Sequence, residues 1–103
     1  MFGRSRQSQD LDRPPLAASA GAVEILRVWI APNSPQQLTL KTAWDDPAAW
    51  GLLLVDIARH AALAYQRDRG ADPEQTLQRI HELFDAEWSS STDEPRDITD
   101  QSN

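Results

Sequence analysis

The chain has 103 residues, a formal charge of −6 from 16 acidic against 10 basic side chains, and no cysteine. That length holds one domain at most. Without cysteine there is no disulfide framework, no thiolate metal site and no cysteine nucleophile; the acidic balance argues against nucleic acid, whose binding rests on neutralising phosphates.

Residues 1–21 are polar, then carry Pro14-Pro15 and a small-residue stretch ending at Gly21. Arg4 and Arg6 are not followed by the apolar run of a secretory signal. Such a composition buries too little apolar surface to offset its ordering entropy. Residues 1–21 and the acidic segment 91–103 are therefore expected to be disordered tails around a single domain over 22–90. The longest apolar run, Trp50 to Val55, falls far short of the ~20 residues that cross a bilayer. The expected setting is cytoplasmic, with no membrane and no nucleic-acid partner. Residues 14–91 carry a net −4 that clusters nowhere, which reads as solubility.

Residues 22–31 (AVEILRVWIA) are rich in β-branched and aromatic side chains and read as a strand. Residues 36–44 (QQLTLKTAW) alternate, with Leu38, Leu40, Thr42 and Trp44 on one side, the period of a half-buried strand. Pro32-Asn33-Ser34-Pro35 between them is a dense turn signal, so the two should form an antiparallel hairpin. To share a face with Leu38 and Leu40, the set Leu26, Val28 and Ile30 needs an odd loop, with Ile30 opposite Leu38, or a bulge beside the turn. Asn33 or Ser34 would then take an unusual backbone conformation. The other face would present Ile25, Arg27 and Trp29 beside Thr39 and Lys41.

Asp46-Pro47 opens a first helix, because Asp caps free N–H groups and Pro suits the first position. It should run to about Arg69 and stop at Gly70, with Arg67 and Arg69 suiting the dipole of the last turn. Its main stripe is Trp50, Leu53, Leu54, Ile57, Ala61, Ala64 and Tyr65; Leu52, Val55 and Leu63 lie off it, so the first half is apolar nearly all round, as in a helix covered on several sides. Asp72-Pro73-Glu74-Gln75 opens a second helix in a capping-box pattern. Leu77, Ile80, Phe84 and Trp88 form its stripe, and it should fade near Ser89 to Ser91. Trp44, Trp50 and Trp88 are read as core. The fold class is α+β, an antiparallel hairpin followed by an antiparallel helix pair, ββαα. A lone hairpin is marginal and its edges are usually covered, so completion by homodimerisation is expected, a twofold dimer being the commonest solution. The interface candidates are Ile25, Arg27, Trp29, Leu52 and Val55.

Little in the chain carries chemistry. His60 has Asp56 one turn before it, and His81 has Asp85 one turn after it. An imidazole with a carboxylate four residues away can be an oriented general base or a metal ligand with its supporting partner, although such pairs are common on any helix surface. Arg59 adds an anion-binding candidate beside them. The histidine pair patterns of metalloproteases, the nucleophile elbow and the glycine-rich phosphate loop are all missing, so no catalytic residue, metal site or cofactor is assigned.

The segments EILRVWIAP (24–32), QQLTLKTAW (36–44) and DPAAWGLLLVDIARHAALAY (46–65) resemble a small bacterial family of unknown function. The resemblance implies short single-domain proteins with this ββαα order. It covers about residues 22–90 and names no activity. The leading expectation is thus a small, non-catalytic, self-associating interaction module. The alternative is a small-ligand, anion or metal-binding protein, enzymatic or not, that uses the helix histidines and arginines.

Overall fold

The structure, a computed structural model, describes residues 9–90. The expected tail at 91–103, and residues 1–8 of the one before the domain, lie outside the described residues. The chain divides into two compact units, one up to Asp45 and one from Asp46.

In the first unit, Pro15–Ala18 form a short 3-10 turn inside the stretch expected to be a tail. Two strands follow, β1 (Leu26–Ala31) and β2 (Ser34–Leu40), paired antiparallel in a two-stranded sheet. β1 ends where expected but starts four residues later, and β2 starts two residues earlier and ends four earlier than expected; its early start follows from a turn tighter than the Pro-rich string implied. Only Pro32 and Asn33 make it, which adds Ser34 and Pro35 to β2. Past Leu40 one more backbone bond, Lys41 N–H to Ile25 O at 2.9 Å, closes the ladder. A tight turn then leads away, Ala43 N–H donating to Lys41 O at 2.8 Å.

The register corrects the expected pairing of Ile30 with Leu38. Val28 faces Leu38 and Leu26 faces Leu40, two residues from that register. The reason is parity. Pro32 presets the first turn position and Asn33 sits at φ 63, the order of a type II turn. A two-residue loop alone would set Val28 against Gln37 and mix the faces. An irregularity between Trp29 and Ala31, where Ala31 faces Ser34, restores the match. Ile30 then stands against two residues of β2, Pro35 and Gln36, which is a bulge on β2. The apolar set of Leu26, Val28, Leu38 and Leu40 thus shares one face, as the alternation requires. Arg27 and Trp29 lie on the other, opposite Thr39 and Gln37.

In the second unit, α1 (Ala48–Arg69) and α2 (Pro73–Ser89) form a packed pair. Asp46 Oδ1 accepts from Ala48 N–H at 3.0 Å, so the carboxylate meets an orphan donor of the first turn. Gly70 ends α1 at φ 70, and its N–H donates to Gln66 O at 3.0 Å, a left-handed cap for which glycine carries no Cβ penalty. Asp72 caps α2 by accepting from Gln75 N–H at 3.0 Å, with Pro73 in the first position. The Thr76 hydroxyl donates to Asp72 O at 3.0 Å. Among the described residues no helix is long and apolar enough to cross a membrane.

Candidate functional site

Packing of the helix pair is uneven along its length. Ala62, 1% exposed, is the one buried side chain among the described residues. Around it Ala58, Ala61 and Ala64 of α1 and Leu77 and Ile80 of α2 are half-buried. Alanine lets two helix axes approach closely, since their separation follows the side chains at the contact. Toward the start of α1 and the end of α2 the facing residues are large, Trp50 and Leu54 against Phe84 and Trp88. Between the helices there lies an open groove of about 920 Å³. Its floor and walls are mostly apolar, from Trp50, Gly51, Leu54, Val55 and Ala58 on α1 to Leu77, Ile80, Phe84 and Trp88 on α2. Phe84 and Trp88 stack at 5.4 Å between centroids with 15° between planes, so the wall at this end is a pre-arranged aromatic surface.

Polar groups enter the groove lining at Arg59, Glu74, Gln78 and His81. His81 Nε2 stands 3.4 Å from Asp85 Oδ2, the i,i+4 pair expected from the sequence. Gln78 and Arg79 both donate to Glu82, at 3.4 and 2.6 Å. These pairs are exposed, and ion pairs of that kind contribute little to stability. His60 and Asp56 are exposed and lie outside the groove lining, whereas Arg59 and His81 share it. Among the described residues no three His, Asp or Glu side chains cluster as metal ligands do. At the end of α1 the Arg67 guanidinium donates to the Asp68 carboxylate at 2.8 and 3.1 Å. That hydrogen bond holds the Asp68 carboxyl below its ordinary range and raises Arg67. The neighbouring Arg69 guanidinium lies over the Tyr65 ring, 5.0 Å from its centroid.

The interface candidates are spread over both units. In the hairpin, Ile25 is half-buried and Trp29 is 44% exposed. Arg27 is held by Glu24 at 3.0 Å and by Asp10 at 3.6 Å. On α1, Leu52 is 75% exposed and Val55 lines the groove. The expectation that Trp88 is core is overturned: it is 78% exposed and lines the open groove. Leu54 and Ile57, assigned to the main stripe, are likewise exposed, while the buried contact falls on Ala62, which the stripe omitted. The stripe held the neighbouring Ala61 and Ala64 and missed the contact by one position, because a helix that is apolar nearly all round has no sharp edge to fix the angle of its contact face.

The chain belongs to the family described as domain of unknown function DUF5076, whose pattern matches residues 10–92. That match takes in both units and begins well before β1. No curated protein matches the chain. Among solved structures it is similar to one described as “a putative pyruvate dehydrogenase from the photosynthetic bacterium Rhodopseudomonas palustrus CGA009”. The two are 37% identical with a TM-score of 0.70, over 87% of this chain and 93% of that one.

Proposed function

We propose that this member of the DUF5076 family is a self-associating interaction module that does no chemistry of its own. The observation that carries this reading is the placement of its large apolar side chains. Ile30 (79% exposed), Leu52 (75%) and Trp88 (78%) stand in solvent, while the only buried residue described is an alanine. With one buried side chain among the described residues, neither unit has much core of its own. Apolar surface left open on this scale marks a contact site, and a second copy of the same chain is the commonest partner. Light scattering coupled to size exclusion tests the reading. A dimer at about 100 µM is expected, well above the dissociation constant of a specific complex. A monomer at that concentration would overturn it.

A second reading is favoured by the groove itself. About 920 Å³ is within the range of small-molecule sites, which are mostly apolar with a few polar groups fixing orientation. Arg59 and His81 in the lining suit an apolar molecule with an acidic head. Titration with a medium-chain fatty acid, read by tryptophan fluorescence at Trp50 and Trp88, separates the readings: saturable quenching weakened by Arg59→Ala supports the ligand, and an unchanged spectrum removes it. The description of the similar solved structure as a pyruvate dehydrogenase belongs to that protein.

A further inference from the structure

The hairpin has two edges, and they are not alike. Lys41 N–H bonds Ile25 O at 2.9 Å, which makes Ile25 and Lys41 a hydrogen-bonded pair. Antiparallel ladders alternate between hydrogen-bonded and non-hydrogen-bonded pairs. The pairs Arg27 with Thr39 and Trp29 with Gln37 therefore spend their backbone groups inside the hairpin. The backbone N–H and C=O groups of Leu26, Val28 and Ile30 then point away from β2, along the free edge of β1. No proline interrupts that row, and Arg27 is the only charge in the strand (LRVWIA). The far edge, by contrast, is guarded. β2 carries Pro35, which lacks a donor, and the bulge beside it, two devices by which natural sheets block edge pairing.

Resting on the self-association reading, we propose that the second copy docks at this edge, β1 pairing antiparallel with the partner's β1 about Val28. The sheet then runs β2–β1–β1–β2, so only the guarded edges remain open. The register follows from chemistry. A centre at Arg27 sets two like charges face to face, which destabilises a sheet. A centre at Trp29 brings Leu26 opposite Pro32, which has no N–H to give. A centre at Val28 lets Leu26, Val28 and Ile30 all exchange both backbone bonds with the partner. It also sets Leu26 beside the partner's Ile30, covering a side chain that is 79% exposed. On the opposite face Arg27 comes beside the partner's Trp29, a pairing of cation and indole ring, while its carboxylate neighbours Glu24 and Asp10 offset the approach of the two guanidinium groups.

Two measurements on the full chain test this pairing. In amide hydrogen exchange at a concentration where light scattering shows dimer, the N–H groups of Leu26, Val28 and Ile30 should be as slow as those of Arg27 and Trp29. Because the chain has no cysteine, Val28→Cys gives a clean cross-link. Opposed residues in a hydrogen-bonded antiparallel pair lie about 5.5 Å apart at Cα, within disulfide reach. Mild oxidation should therefore give a covalent dimer, and Leu38→Cys on β2 should not. A dimer in which those three amides exchange freely overturns the edge pairing and leaves self-association standing. A monomer at about 100 µM overturns both. Should Val28→Cys fail to fold, exchange on the unsubstituted chain decides alone.

Discussion

Ala62→Leu is the sharpest test of the helix pair. Leu54 and Ala58 line the groove and so face α2. Ala62, four residues beyond Ala58, continues that line to the point where the helices touch, and is 1% exposed. Leucine has nearly alanine's helix propensity, so the substitution leaves α1 itself almost unchanged and acts through packing. It adds three carbons where there is no room, and overpacking of that kind costs about 1–3 kcal/mol. For a domain of this size each kcal/mol moves the midpoint by roughly 4–8 °C. The melting temperature, followed by circular dichroism at fixed protein concentration, should fall by about 5–20 °C. Leu63→Ala supplies the comparison: one residue on, 57% exposed, it should stay within about 0.5 kcal/mol of the unsubstituted chain in dilute solution. If Ala62→Leu melts with the unsubstituted chain, or Leu63→Ala costs more, the helices do not meet where the structure puts them.

Substitutions at three further positions bear on the helix ends. Gly70→Ala should lower stability to urea by about 1 kcal/mol, all of it backbone strain at φ 70, since an added Cβ there has nothing within 4 Å. Asp72→Ala should cost about 1 kcal/mol by leaving the Gln75 N–H without its cap, and Asp72→Asn should recover most of it. The Asp68 carboxyl, held low first by the Arg67 hydrogen bond, should titrate below the usual ~3.9 in carbon-detected NMR, and Arg67→Gln should return it toward that value. Because the folded value is the lower one, whatever stability the pair adds is present above the unfolded carboxylate range and disappears as pH falls through the folded one. Both side chains are exposed, so the titration rather than the melting curve is the readout.

Element order, hairpin and both helix boundaries were legible because each rests on local chemistry. Asp46-Pro47 and Asp72-Pro73 announce starts, Gly70 a stop, and the alternation through Leu38 and Leu40 a strand with one apolar face. The parity argument offered an odd loop or a bulge beside the turn, and an unusual backbone at Asn33 or Ser34; the structure has the bulge, and the positive φ falls on Asn33. Parity missed the register by two residues, because it is conserved under a shift of two and only the turn's length distinguishes the choices. The helix contact was less legible. Periodicity identifies an apolar face, but it does not say which part of that face meets a neighbour when the face is apolar nearly all round. Of the candidate site residues, His81 and Asp85 come together by their i,i+4 spacing, and Arg59 joins His81 in the groove, a tertiary fact that spacing along one helix does not contain.

Size gradients along the helix pair explain why an apolar groove exists at all. At the Ala62 end the contact residues are small and the axes can close. At the other end Trp50 faces Phe84 and Trp88, and three rings of that size cannot interdigitate at the spacing alanines set. The aromatic surface is therefore held open in this chain by its own geometry. Covering the groove needs atoms from outside the helix pair, and covering the edge of β1 needs a strand that the hairpin does not have. The two deficits differ in kind, one of side-chain packing and one of backbone hydrogen bonds. The proposed twofold pairing at β1 would answer only the second, so the titration with a fatty acid and the exchange at Leu26, Val28 and Ile30 test separate surfaces.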